Sequence, residues 1–593
     1  MFTLERQSTH QQMQSVLLDY MKTVSAWIDK ETGAIEDRWD TIYSENYTAG
    51  TAAVIFAGGA GFSGNTELQD TAIRLIRRSI VRLKDMNAAP FTRMFIYHFS
   101  MMALLILPED VRSRHKEEFA EDFLHGEPQD CGTINLNCAA LQLGNELFLE
   151  KLGYRLANKA FMADLMALIE ERENEGFLND SFDQHDQETF REHDGMPISY
   201  SAFIMFILTG VMSAIEEWTP EQLEIRARLQ LLIEKGQAWL NHATSFDGTF
   251  AMMERSRHQM FTWGSFVAYQ AYAGMGDKGL FDKAFQAWLP YKKEDGTYSM
   301  TPNYLPHELR VGYEWYTLVN CYGILGMTGI SMAERIIRSD LQMERINDRP
   351  PLPVNNQYLD LRSGYAFVRS GDDFFACSLR MHVGKYSPAL CGFHYRLGGT
   401  KPPLAEPKLN PANLAPGLYQ QGYDLGAWEG FLLRDVEGTL YYPDMTVNPE
   451  TEWLEKGIAM TGQNEFLKYR KTIALTGTGI EWTYRLKAKR DFVSCEHILP
   501  LLLTDGRDGT RIEKRTEHGW MLSYAGRRYE ISCDACDNTI RTPDAVYANE
   551  NNLSLSRSLR SVSGVSANLS LVVAGPRQAG DEWTWTTRLV ELK

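Results

Sequence analysis

Cysteine is scarce in this chain, with 8 residues among 593. Only Cys533 and Cys536 form a CxxC pair, and one pair without a second half is not a structural zinc site. No disulfide framework is expected, and the thiols read as those of a reducing compartment. Positive charge is also in deficit: 60 Lys and Arg stand against 77 Asp and Glu, for a net charge of −17. Such a surface repels polyphosphates and argues against nucleic-acid binding. Nothing approaches the ~18 uninterrupted apolar residues of a membrane span, so no membrane partner is expected. The opening residues MFTLERQSTHQQMQSV hold no basic stretch followed by an apolar one. No secretory signal is expected, and the expected location is cytoplasmic.

What is present is ordinary globular material, 44% hydrophobic and 23% charged, in two halves of different texture. Up to about residue 345 the chain reads as helix after helix. Amphipathic segments such as LQDTAIRLIRRSIVRLKDM alternate with apolar ones such as TAGTAAVIFAGGA, INLNCAALQLGNELFL and HQMFTWGSFVAYQAYAGMG. Helices apolar on every side are buried ones. The apolar segments begin near residues 48, 92, 134, 197, 258 and 313, each about one helical hairpin apart. This predicts inner helices alternating with outer ones in an (α/α) toroid over 1–345. The proline-dense INDRPPLPVNN, 346–356, reads as a linker. From 357 to 593, short β-branched and aromatic runs separated by Gly/Asp turns predict an antiparallel β-sandwich. The fold class is therefore multidomain α + β.

In a helical ring the inner-helix starts on one side surround a shared cleft, so their residues form one constellation. Besides Asn46, Tyr47, Arg93 and Asn303, it comprises Asn135, Asn137, His193, Asp194, Tyr200, Arg255, Arg257, His258, Tyr304, His307, Arg310 and Tyr313. Amide, phenol, imidazole and guanidinium groups dominate, and helix N-termini add free N–H donors and positive partial charge. This suits an anion flanked by proton-transfer groups. Trp263 is a candidate sugar platform or a core residue. A uronic acid in a glycosidic chain fits the set. Asn, Arg or His would neutralise its carboxyl group and stabilise the enolate formed on losing the C5 proton. Tyr or His would take that proton and deliver one to the departing O4.

The chain resembles the heparinase II/III-like and alginate-lyase-like polysaccharide lyases, on three pieces. HDGMPISYSAF (193–203) is similar to the family's Asp-Gly segment followed by the catalytic tyrosine, here Tyr200. NLNCAA (135–140) is similar to the segment whose Asn neutralises the uronate, here Asn137 with Asn135 in reserve. GYAFVRSGDDFFACSLRMHVG and CGFHYRLGG are similar to the first sandwich strands, with a His-bearing loop that dips into the cleft, here His394 and Tyr395. Cys138 stands where the family often has His after the Asn, and Arg396 follows Tyr395 in a loop often richer in His and Asp. The resemblance implies β-elimination on a uronate-containing oligosaccharide or polysaccharide. The absent signal and the long loop 398–417 favour exo action on oligosaccharides. The resemblance implies catalytic roles for Tyr200, Asn137 and His394, and His258 and Tyr313, from their places at helix starts, are expected to assist. Arg255, Arg257, Asn135, His193, Trp263, Tyr304, His307 and Arg310 would bind substrate. No cofactor is expected; some relatives carry a divalent cation. A homodimer is open.

Two other readings stand beside this one. A glycoside hydrolase on the same ring would use paired carboxylates, drawn from Asp183, Asp186, Asp194, Glu254 and Glu314. A non-catalytic carbohydrate-binding protein would use the aromatics as platforms. His185, His193, His258, His307 and His394 lack a tight metal spacing such as HExxH, and no metal is assigned to them.

Overall fold

Charged and apolar helices alternate along the chain up to Gln342. The computed structural model describes residues 2–39, 45–85, 88–126, 135–180, 198–249, 251, 260–272, 278–309, 318–342, 353–379, 393–398, 429–441, 449–463, 466–502, 504–535 and 566–593. The charged helices are α1 (Phe2–Ser25), α3 (Thr66–Leu83), α5 (Glu109–His125), α7 (Lys159–Glu171), α9 (Leu223–His242) and α11 (Lys278–Gln286). The apolar ones are α2 (Thr48–Ser63), α4 (Pro90–Ile106), α6 (Leu136–Lys151), α8 (Ile198–Ala214), α10 (Met260–Tyr272) and α12 (Val319–Gln342). In α3 one stripe is buried, including Ile73, Ile76, Ile80 and Leu83, while Arg74 and Arg77 stay outside the core. In α2 every residue from Thr48 to Ala60 is buried, and none is charged. A helix with one apolar stripe covers a core, whereas one apolar on all sides belongs inside it.

The apolar helices pack in the order α2, α4, α6, α8, α10, α12 and back to α2, a closed six-membered ring. Closure from α12 to α2 includes the Thr328 hydroxyl donating to the Thr51 carbonyl at 3.2 Å. Between α10 and α12 the backbones almost touch. A Cβ on Gly264 would meet the Gly326 backbone, and one on Gly329 would meet Gly264.

Four charged helices end in a small hairpin turn built on one plan. Gly33 follows α1, Gly176 follows α7, Gly248 follows α9 and Gly296 follows α11, with φ of 73°, 103°, 83° and 85°. In the last two, Asp-Gly-Thr repeats its own hydrogen bonds. The hydroxyls of Thr249 and Thr297 each donate to the aspartate two residues earlier at 2.6 Å. Each turn packs on another charged helix: Gly33 on α3 at Arg74, Gly176 on α9 at Lys235, Gly248 on α11 at Lys283 and Ala284, Gly296 on α1 at Thr23. Positive φ and lack of room both select glycine.

The strands after Gln342 pair antiparallel throughout, as a sandwich requires. β3 (Asn355–Asp360), β4 (Tyr365–Ser370), β5 (Asp373–Ser378) and β6 (Phe393–Arg396) form one sheet in that order. A second sheet joins β7 (Gly430–Asp435), β8 (Leu440–Tyr441), β13 (Phe492–Leu502) and β17 (Ser566–Ala574). The eight-stranded third sheet holds β9 (Glu450–Leu454), β10 (Gly457–Gln463), β11 (Leu467–Leu475), β12 (Gly479–Ala488), β14 (Arg511–Thr516), β15 (Gly519–Tyr524), β16 (Arg527–Cys533) and β18 (Glu582–Leu592). The remaining strands, β1 (Glu173–Asn174) and β2 (Phe177–Leu178), are the arms of the Gly176 turn.

The β3–β6 sheet separates two cores. Tyr365, Phe367, Phe374 and Ala376 join the helical core. Ala366, Val368, Phe375 and Cys377 join the sandwich core. This is the two-residue period of a strand buried on both faces. Inside the sandwich, buried Glu429 accepts from Lys471 Nζ at 2.6 Å and from the Tyr484 hydroxyl at 2.5 Å, with His497 Nε2 at 3.6 Å. Burial alone would push Glu429 up, but Lys471 and His497 hold it down to about 2.

Three outcomes are expected from unfolding measurements. Gly248→Ala should cost about 3 kcal/mol or more, through strain and overlap together. Gly64→Ala, at φ 68° with nothing within 4 Å, should cost about 1–2 kcal/mol. Lys471→Met strands a buried carboxylate and should cost about 3–5 kcal/mol at neutral pH. Because Glu429 is depressed when folded, its contribution is present above its ordinary value of 4.5 and is lost as pH falls toward 2. The Lys471→Met penalty should therefore shrink in acid.

Candidate functional site

The ring helices begin at one mouth, and a closed circuit of aromatic rings forms its floor. Tyr47, just before α2, stacks on Phe95 of α4 at 4.7 Å. Phe95 meets Phe203 of α8 at 5.8 Å, Phe203 meets Phe261 of α10 at 5.7 Å, and Phe261 meets Tyr322 of α12 at 5.4 Å. Tyr322 returns to Tyr47 at 6.3 Å. Five of the six helix starts thus supply a ring. The sixth, α6, supplies an amide.

That amide is Asn137, buried at the second residue of α6. Its N–H donates to Asp180 Oδ1 at 2.8 Å, and its Nδ2 lies 3.5 Å from Asp180 Oδ2. Its Oδ1 is buried and has no hydrogen-bond partner, an arrangement that costs ~1–3 kcal/mol unless something donates to it. Asp180 follows the Gly176 turn, and in that same turn Leu178 N donates to the Ser201 hydroxyl of α8 at 3.0 Å. The turn therefore ties together the starts of α6 and α8, neighbours in the ring. Tyr200, half-buried on the first turn of α8, stands next to Ser201 and one helical turn before Phe203. Asn135 is the extended residue that precedes α6, its carbonyl accepting from Cys138 N at 3.0 Å.

A second aspartate repeats the arrangement on the far side of the ring. Buried Asp37, after the Gly33 turn, accepts from Trp39 N at 2.9 Å and from Asn320 N at 3.0 Å. Asn320 is the second residue of α12, just as Asn137 is of α6. The two helices open on Leu-Asn-Cys and Val-Asn-Cys. This match is a sequence signal, and the constellation above passed over Asn320. The thiol of Cys321 is pushed up to about 12 by burial and contacts Thr48 and Tyr47. Burial also raises the phenol of Tyr47, so Tyr47 is a floor residue and not a base. Glu45, at the α2 end of the mouth, is held by Arg78 at 2.8 Å and faces Arg82 at 3.6 Å.

Several expected contacts lie elsewhere. Trp263 is in the core, its indole stacked on Trp288 at 5.9 Å and its N–H donated to the Ala284 carbonyl at 2.7 Å. Covered in this way, it is not a sugar platform. His307 is likewise buried, with Nε2 2.8 Å from the Thr297 hydroxyl and its ring edge-on to Trp39 at 4.7 Å, and so is removed from the substrate-binding set. Tyr304 lies at the seam with the sandwich. Its N–H donates to the Asp505 carbonyl at 2.7 Å, and Arg507 stacks over its ring at 3.9 Å. His394 is on a strand, β6, and not in a loop. It is wholly buried, edge-on to Phe374 at 5.8 Å, because its position puts it on the face with Ala376, toward the helices. Two residues on, Arg396 crosses that seam to Asp247 at 2.6 Å and to the Thr249 hydroxyl at 3.0 Å. His193, Asp194, Arg255, Arg257, His258, Arg310 and Tyr313 lie outside the described residues, as do the carboxylates Asp183, Asp186, Glu254 and Glu314.

No protein-family model matches the sequence, and no curated protein matches it. Solved structures do match. The fold is similar to that of a chondroitin AC lyase. The Streptomyces coelicolor A3 enzyme, in complex with chondroitin sulphate, aligns with a TM-score of 0.51 at 11% identity, over 98% of this chain and 79% of that one. A xanthan lyase of Paenibacillus aligns with a TM-score of 0.46 at 12% identity, over 98% of this chain and 57% of that one. The α-1,6-mannanase of a Salegentibacter species aligns with a TM-score of 0.38 at 12% identity, over 55% of this chain and 99% of that one. At such identities the likeness is one of fold. Among the described residues, no group of three or more His, Cys, Asp or Glu is placed to hold a metal ion, and no helix is long and apolar enough to cross a membrane.

Asp180 caps α6 from another part of the chain, as an N-cap side chain would. Asp180→Ala should therefore lower stability by ~1–2 kcal/mol, readable as a fall in the denaturant midpoint at unchanged slope.

Proposed function

We propose that the chain is a lyase that cleaves a uronate-containing glycan by β-elimination. The observation that carries this reading is the pairing of Asn137 and Tyr200 on adjacent ring helices, above an aromatic floor, at a mouth where six helices begin. The full-length likeness to a lyase fold supports it.

Helix N-termini favour a carboxylate at such a mouth. The long Asn137 contact to Asp180 leaves the amide able to turn its N–H groups to the uronate, where they oppose the charge that grows on the carboxyl group as C5 loses its proton. Tyr200 takes that proton. The electron pair forms the C4–C5 double bond as the C4–O4 bond breaks, and O4 leaves with a proton delivered by the phenol or by a second acid. A free phenol titrates near ~10, so the base needs cations around it. Arg255, Arg257 and His258, which precede α10 in the chain, are proposed for that role and for the carboxylate. Tyr313 is proposed to assist, and His193 and Arg310 to bind substrate. No metal or cofactor enters the proposal. Exo action on oligosaccharides in the cytoplasm belongs to it, with the sequence alone as support.

An ultraviolet absorbance scan with a panel of glucuronate, galacturonate, iduronate, mannuronate and guluronate oligosaccharides tests the class, because elimination creates a conjugated double bond. Cleavage without that chromophore would move the assignment to a hydrolase. On the substrate that responds, Tyr200→Phe should lower kcat by ~10²-fold or more, with the thermal midpoint unchanged. Asn137→Ala should lower kcat more than it raises KM, because enolate stabilisation belongs to the transition state. Full activity of Tyr200→Phe would remove the tyrosine from the mechanism.

A further inference from the structure

The mouth is built twice. α6 and α12 hold third and sixth place in the ring, so they face each other across it. Both present an asparagine at their second residue, both asparagines are at least nine-tenths buried, and both donate their backbone N–H to an aspartate that follows a glycine turn. In both, the amide oxygen is buried and has no hydrogen-bond partner. The two amides differ in how firmly they are held. Asn137 Nδ2 meets Asp180 only at 3.5 Å, whereas Asn320 Nδ2 donates to the Glu36 carbonyl at 2.6 Å. Turning the Asn320 amide over would set two carbonyl-type oxygens against each other, so its orientation is fixed with the oxygen as the open atom.

We infer that Asn320 is a second saccharide subsite, opposite Asn137, and that it takes an uncharged sugar beside the uronate. This rests on the lyase reading. An amide oxygen accepts and cannot donate. It therefore recognises a hydroxyl or an acetamido N–H, and not an ionised carboxylate. The two amides stand on helices that are not neighbours in the ring, so a ligand that meets both reaches across the mouth.

Calorimetric titration tests this with two probes, glucuronic acid and unsulphated chondroitin tetrasaccharide, on full-length protein carrying Tyr200→Phe so that nothing is consumed. Adding Asn320→Ala should weaken the tetrasaccharide ~10-fold or more and leave glucuronic acid unchanged, whereas Asn137→Ala should weaken both. Where Asn320→Ala lowers the thermal midpoint enough to confuse the result, Asn320→Ser keeps an acceptor of smaller reach and should give a partial loss of tetrasaccharide affinity alone. Tetrasaccharide affinity unchanged in both Asn320 variants would overturn the subsite, the oxygen then serving a buried water only. Absence of binding of both probes to the parent protein would overturn this inference, while the absorbance scan decides the uronate reading separately.

Discussion

Six buried helices that begin at one place create one demand: the first N–H groups of each have no partner within the helix. In a buried mouth that demand must be met by other parts of the chain. Asp180 meets it for α6 and Asp37 for α12, each arriving at the end of a turn that only glycine can make. The turns are fixed by the charged helices they pack on. The outer layer thereby sets the position of the aspartates, and the aspartates set the inner helix starts. Among the described residues, the amide oxygens of Asn137 and Asn320 stay unmet there, open to a ligand.

The sandwich acts on the same turns from the opposite side. Asp360, at the end of β3, accepts from Asn174 Nδ2 at 3.1 Å and from the Trp239 indole at 2.9 Å, gripping the Gly176 turn and α9. Arg396 grips the Gly248 turn, and the Asp505 carbonyl grips Tyr304 beyond the Gly296 turn. Asp247 shows what such a grip involves. Burial would raise its carboxyl group, yet Arg396 and the hydroxyls of Ser245 and Thr249 hold it below its ordinary value. The β3–β6 sheet makes this possible because alternate residues enter different cores. A single-faced sheet would have spent those side chains on solvent.

Much of the architecture was legible because burial leaves a periodic mark. The unbroken apolar run of α2 and the striped pattern of α3 could be told apart by eye, and the helix starts expected near 48, 197 and 258 lie at Thr48, Ile198 and Met260. The glycine turns were not legible in the same way. Gly33, Gly176, Gly248 and Gly296 share a conformation, and each packs on another charged helix, but they have almost no flanking identity, and only Asp-Gly-Thr recurs. Trp263 and His307 show the other limit. Spacing puts a residue near a helix start, but it does not say whether the side chain turns toward the mouth or between two helices. Asn320 was missed because the apolar run before α12 was taken to begin earlier, near Tyr313, which drew attention away from the Val-Asn-Cys that matches Leu-Asn-Cys.

An acidic chain proposed to take an acidic sugar looks contradictory until the charges are located. Three carboxylates among the described residues stand at the mouth, and each is committed. Asp180 and Asp37 are bonded to backbone N–H groups at helix starts, and Glu45 is paired with Arg78. A carboxylate so bonded offers an incoming anion little free charge, while the helix ends still present theirs. Charges elsewhere on the surface are screened over ~8 Å at physiological salt, less than the width of the ring. The net charge of −17 thus describes the outside of the molecule. Among the described residues, helix ends and amides line the mouth over a floor of rings that carries no formal charge. On the proposed reading, a uronate would meet donors for its carboxylate on the α6 side and an acceptor for a neighbouring hydroxyl on the α12 side, so the polarity of the mouth, and not the charge of the protein, would decide which way round the glycan lies.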